Sequence, residues 1–274
     1  MKNQIVLLGM VVALSTMVSV GVRSSLRGQT VKVRQKRAAD TVAALPPFVP
    51  ATVKFKESLS APGKPDILST ERVYGVRVDG SEVWVDRQHT NAGDIYLTHW
   101  HVLLADGTDA EGDDVTKAMT AVKLPLGKSS RALERWDPNA RCTVQASGFN
   151  STPAPEAEEK LLGINTTKII LSDSKTARIT VWRAPSLNCL ELRRLAEFKN
   201  QNGSVKDTSD LVATEVVLGE PKGSLFLLPT GEENISYSER YNRLVAAQGG
   251  RPADGDMPTL QRRDKMFSKF ALKP

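Results

Sequence analysis

The chain has 274 residues, room for one large domain or two small ones. Its 40% hydrophobic and 25% charged content is that of a folded protein, and 19 Gly with 15 Pro are too few for a collagenous or low-complexity chain. The formal charge of +6 belongs to the ends: residues 1–37 carry seven Lys/Arg and no Asp/Glu, whereas residues 38–250 carry 24 basic and 28 acidic groups, which excludes a basic nucleic-acid-binding body.

Residues 5–22, IVLLGMVVALSTMVSVGV, are 18 positions without a charge. At about 1.5 Å per residue they reach roughly 27 Å as a helix, close to the hydrocarbon thickness of a bilayer. Residues 1–22 are therefore expected to be an N-terminal hydrophobic helix that anchors the chain in a membrane. Cleavage near Gly21, after the small-residue run Ser19-Val20-Gly21, would instead release a secreted body. Six basic residues follow within 15 positions, and the positive-inside rule taken alone puts the body in the cytoplasm. A β-rich body with two cysteines argues for the extracytoplasmic, periplasmic side of the envelope, which is the expectation adopted.

Residues 23–65 read as a basic and then Pro-rich linker, extended or irregular, with five prolines in LPPFVPATVKFKESLSAPGKPD. An antiparallel β domain is expected over 66–235. It opens with VYGVRVDGSEVWVD, where Asp79-Gly80 between two alternating runs signals a hairpin. Residues 95–104 form a further strand ended by Asp106-Gly107, and 115–124 another. DAEGDD (109–114) reads as solvated loop charge, and EAEE (156–159) as the first turn of a short helix stopped by Gly163. Strands resume at 167–172, 176–183, 189–199 and 205–218, the last pair joined at Asn202-Gly203. In 236–274, SERYNRLVAAQGG predicts a surface helix capped by Ser238 and ended at Gly249-Gly250, followed by a weakly ordered tail. The fold class expected is mainly β with minor α: one strongly curved antiparallel sheet or half-barrel with short helices.

All three histidines, His89, His99 and His101, fall within thirteen positions. On a strand His99 and His101 share a face, and His89 from a neighbouring strand would complete a zinc site with an open position. The alternative is a half-buried strand whose imidazoles are hydrogen-bonded and hold no cofactor. Trp84, Trp100 and Trp182 sit on expected strands, where they line a ligand-binding inner face or belong to the core. Cys142 and Cys189 form no C-x-x-C pair, and either pair as a disulfide closing a loop of about 50 residues, contributing about 4 kcal/mol, or are buried thiols. No G-x-S-x-G, P-loop, G-x-G-x-x-G or H-E-x-x-H motif is present, so a non-enzymatic protein is expected.

The stretches RWDPNARC, VWRAPSLNCLELRR, NGSVKDTSDLVATEVVLGEP and SLFLLPTG resemble a group of uncharacterised bacterial exported proteins. That group's pattern falls here on 181–189, 219–221 and 224–229, and the resemblance spans roughly 70–235. More remotely the chain is similar to the LolA-like lipoprotein-carrier fold, a curved antiparallel sheet around helices, but it lacks the long helices that plug the carriers' sheet. The resemblance implies fold and envelope location. The expectation is a membrane-tethered extracytoplasmic β domain binding a lipid-like hydrophobic ligand or an envelope protein. The rivals are a zinc-binding protein or metalloenzyme, and a purely structural envelope protein.

Overall fold

The structure is a computed structural model that describes residues 48–124, 155–250 and 258–272. Twelve strands form a single sheet: β1 (Ala51–Ser60), β2 (Ile67–Val76), β3 (Glu82–His89), β4 (Ile95–Leu103), β5 (Thr108–Asp113), β6 (Ala118–Lys123), β7 (Pro155–Leu161), β8 (Ile164–Asp173), β9 (Ala177–Ala184), β10 (Leu190–Lys199), β11 (Val205–Leu218) and β12 (Glu233–Asn234). Two helices follow, α1 (Tyr237–Ala247) and α2 (Pro258–Phe270). The spatial order is β12-β6-β5-β4-β3-β2-β1-β11-β10-β9-β8-β7, with β7 and β12 at unpaired ends of the sheet among the described residues, so the sheet is not closed into a barrel. Every pairing is antiparallel except the short β12–β6 ladder.

Two hairpin runs meet at β1–β11, the first and last long strands. β1 corrects the expected linker: residues 51–60 are a central strand, with Val53 and Phe55 buried and Lys54 and Lys56 exposed. Its period-2 alternation is masked by prolines that lie outside the strand, at 50, 62 and 65. The hairpins at Asp79-Gly80 and Asn202-Gly203 form as expected, and Gly80 and Gly203 adopt the left-handed backbone their tight turns require (φ 81° and 84°).

Three more readings are corrected. Residues 109–114 are not a solvated loop: Asp109, Glu111 and Asp113 alternate along β5 toward one face, and the expected single strand at 115–124 is only β6 after a turn. EAEE does not start a helix. It lies in β7, paired to β8 through Leu162-Gly163, both at positive φ (52° and 79°), a two-residue hairpin turn that overrides the helix propensity of Glu and Ala. The C-terminal tail, expected to be weakly ordered, carries α2, whose Arg263 reaches the Glu111 carboxylate on the sheet. Helix α1 forms as expected, but its cap is Ser236 rather than Ser238. The Ser236 hydroxyl accepts from the Glu239 N–H at 3.2 Å, giving a Ser-x-x-Glu start.

The main core gathers Phe48, Val53, Phe55, Tyr74, Val76 and Leu192, with Leu187 from a 3-10 turn at Pro185–Leu187. Fully burying each such side chain contributes roughly 1.5–3 kcal/mol. Asn188 joins this region to the incoming chain: its side-chain amide donates to Val49 O at 2.9 Å and accepts from Val49 N at 2.8 Å. Strand β11 lies between β1 and β10, so this link ties the starts of two strands that are not direct neighbours. A second cluster, Val83, Val102 and Phe226 with Trp100 packed against it, forms where a 3-10 turn at Gly223–Phe226 lies on β3.

Candidate binding face

Register decides which side chains can act together. Across β2–β6, Tyr74 opposes Trp84, Trp84 opposes His101, His101 opposes Glu111 and Glu111 opposes Thr120. Period 2 then places Arg72, Asp86, His99, Asp109 and Asp113 on the same face. Both helices reach this face, through Arg240 of α1 and Arg263 of α2.

At the helix end the chemistry is a charged cluster. Arg240 bonds Glu111 and donates to Asp113 at 3.2 Å, and Arg263 donates to the other Glu111 oxygen at 2.8 Å. The Arg263 guanidinium also stacks over the Tyr237 ring, 3.8 Å from its centroid. Burial pushes the Glu111 carboxyl up, but Arg240 and Arg263 together override it and hold the group far below the usual carboxylate range. Burial pushes the Tyr237 phenol up. The cluster clamps two helices to β5 through charges that have largely left water, so each charge depends on its partners.

Across β1–β3 and β8–β11 the same face continues as ion pairs interleaved with apolar side chains. Arg72 grips Asp86 in a two-pronged pair at 2.6 and 2.7 Å. Arg183 and Arg194 both donate to Glu191, at 3.0 Å and at 2.6–3.0 Å. Burial raises Glu191, and the two arginines overcome that and bring it below its ordinary value. The Glu57 carboxylate accepts from the Ser209 hydroxyl at 2.5 Å. Between these groups the register sets Leu211, Ala196, Phe198, Ile179 and Ile169 on the same face, all half-buried. Near the β7–β8 turn, a hollow of about 600 Å³ is lined chiefly by Glu158, Lys160, Asn165, Thr166, Thr167 and Ser186.

The histidines do not converge. His101 Nε2 lies 2.6 Å from Asp109 and its ring stacks on Trp84, with centroids 5.2 Å apart. The His89 ring bonds Gly93 O through Nδ1 at 3.0 Å, with Nε2 3.6 Å from Glu71. His99 shares the His101 face, and burial lowers its pKa. Among the described residues no three His, Cys, Asp or Glu side chains are grouped to hold a metal ion.

The three tryptophans also do not share a face. Trp84 is on the helix-bearing face, packed against Tyr74. Trp100 opposes Val85 rather than Trp84, so it points to the other face and lies over Gly112. Trp182 opposes Arg193 and Lys168, stacks under the Arg193 guanidinium at 4.7 Å and donates to Glu159 at 2.8 Å, also on the other face. Cys189 is buried, and Cys142 lies outside the described residues, as do residues 5–22. Among the described residues no helix is long and apolar enough to cross a membrane.

Sequence reasoning misses Arg72, Glu111, Glu191, Arg194, Arg240 and Arg263, and it reads Asp86 as a supporting partner for the histidines where the structure pairs it with Arg72. The signal for Glu111 is present: Asp-x-Glu-x-Asp with Ala and Gly between is alternation, not a random acidic run.

No protein-family profile matches the chain. No curated protein matches it either. Solved structures with a similar sheet include an uncharacterized conserved protein from Thermus thermophilus, with 10% identity, 68% of this chain, 90% of that chain and a TM-score of 0.36. Another is the Pseudomonas aeruginosa MucA/MucB complex, at 11% identity, 69% and 59% coverage and a TM-score of 0.30. A third is a LolA superfamily protein from Nitrosomonas europaea, at 10% identity, 66% and 91% coverage and a TM-score of 0.28. These are partial likenesses of fold, and the functional reading rests on this chain's own geometry.

Proposed function

We propose that the chain is a membrane-tethered, extracytoplasmic binding domain that holds an amphipathic segment of an envelope protein along the helix-bearing face of β1 and β8–β11. The observation that carries this is the interleaving on that face: half-buried Leu211, Ala196, Phe198, Ile179 and Ile169 beside the Arg72–Asp86 and Arg183–Glu191–Arg194 groups. An acyl chain laid there would strip the remaining water from the Arg72, Glu191 and Arg194 charges and return no hydrogen bonds. A peptide covers the apolar row and offers its own donors and acceptors to the charges. The tether is assigned to residues 5–22. The extracytoplasmic side is supported by the two-cysteine content, with Cys142 and Cys189 proposed as a disulfide.

Native mass spectrometry of the full chain, extracted gently from its own membrane, tests the reading. A polypeptide that co-purifies and is released on activation is the expected result. A lipid-sized adduct in its place returns the face to the hydrophobic-ligand reading. A bare chain at every extraction strength leaves the purely structural role.

A further inference from the structure

Among the described residues nine large hydrophobic side chains are exposed, and their placement is uneven. Register puts the start of β1 beside the ends of β2 and β11, since Ala51 opposes both Val76 and Leu218. The starts of β3, β8 and β10 and the ends of β4 and β9 lie at this same end. Six of the nine sit there: Val49, Val78, Leu162, Val217, Leu218 and Leu227. Only Ile95, Tyr96 and Val205 are at the other end. Leu218 is 65% exposed and Leu227 72%, so the outermost groups are apolar atoms in water.

The segments that shape this rim also tie it to the incoming chain. Phe48 is 4% exposed, and its N–H donates to Val78 O at 3.2 Å. Gly219 N donates to Pro50 O at 2.9 Å. Glu220 accepts from the Val78 N–H at 3.0 Å. Phe226 lies beneath the Arg77 guanidinium at 5.2 Å, and Leu227 follows it at the surface. The Val78 and Leu218 part of the rim is therefore hydrogen-bonded to the start of the described chain, at residues 48–50. Only 25 residues, 23–47, separate that start from residues 5–22, and they carry six Lys/Arg and one acidic residue.

The geometry points to a second, peripheral membrane contact: the rim of Val49, Val78, Leu162, Leu218 and Leu227 rests on the surface of the bilayer that holds residues 5–22. The inference rests on the tether reading. Apolar side chains at a tether's attachment end meet the interface first, and partial insertion removes their surface from water. The basic linker adds attraction to anionic headgroups. The sheet then stands on its rim, leaving the helix-bearing face open along its side.

The test uses the full chain in vesicles of phosphatidylcholine and phosphatidylglycerol at three to one, read by hydrogen-exchange mass spectrometry. Flotation of the vesicles reports the tether separately: a chain that does not float contradicts the anchor and the rim contact with it. In floating wild type, amides of 217–228 should exchange at least fivefold more slowly than in Leu218→Ser/Leu227→Ser. Amides of 203–206, at the far end, should be equal in both. The difference should vanish when both chains are held in an amphipathic polymer without lipid. Equal exchange at 217–228 in vesicles overturns the rim contact while the tether stands. A difference that persists in polymer also overturns it, because it then belongs to folding or to self-association.

Discussion

Glu111 is the residue on which most of the helix-bearing end depends. It accepts from both Arg240 and Arg263, one from each helix, and its side chain is almost fully buried. Glu111→Gln keeps the shape and removes the charge, leaving two guanidiniums facing a neutral amide. The expected loss is about 3 kcal/mol in urea denaturation. Glu215→Gln, which breaks an exposed pair with Lys54, should lie within about 0.5 kcal/mol of wild type. His99 supplies a second test, in pH. Burial lowers its pKa below 6.5, so between the folded and unfolded values the unfolded chain binds the extra proton. Stability therefore falls as pH drops below about 6.5. Glu111 and Glu191 do not interfere in that window, because their losses begin only below the ordinary carboxylate range near 4.5. The urea midpoint should drop from pH 7.5 to 5.5, and the drop should shrink in His99→Gln. An unchanged drop would place the titration elsewhere.

Single elements are legible in the sequence where period and turn chemistry agree, and illegible where composition speaks for the whole segment. β2, β3, β10 and β11 follow from alternating apolar residues with Asp-Gly or Asn-Gly between them. β1 is hidden by flanking prolines, β5 by its acidic content and β7 by Glu and Ala, whose helix preference yields to a two-residue turn and a partner strand. The order of α2 depends on charges more than 150 positions away, which no local pattern contains. The same limit applies to the site: the His-x-His face is legible, whereas the Arg–carboxylate groups require the register of several strands. Asn234 offers an element-scale check. From β12 it bonds Ala121 N and O on β6 at 2.8 and 3.1 Å, and Leu272 O beyond α2 at 2.9 Å. Asn234→Ala removes the side-chain partner of Ala121 N and Leu272 O, while Ala121 O keeps the Leu272 N–H at 2.9 Å, and should cost about 1–3 kcal/mol. Faster hydrogen exchange should appear in α2 and β6 and leave β9 and β10 unchanged.

For the molecule as a whole, one open sheet presents different chemistry in different directions. Helices occupy the β5–β6 end of one face, the turn at Gly223–Phe226 lies on the opposite face at β3, and the incoming chain sits at an apolar rim. The proposed function places a partner on the β1 and β8–β11 part of the helix-bearing face, beside the membrane it assigns to residues 5–22. Phe198 and Leu195 lie on one strand, both half-buried, on opposite faces of the sheet. Replacing each in turn with a photoreactive benzoyl-phenylalanine, in the full chain within its native membrane, isolates the face as the variable. The account predicts a protein adduct on irradiation from position 198 and none from position 195. Equal adducts from both positions, or none from 198, would contradict it.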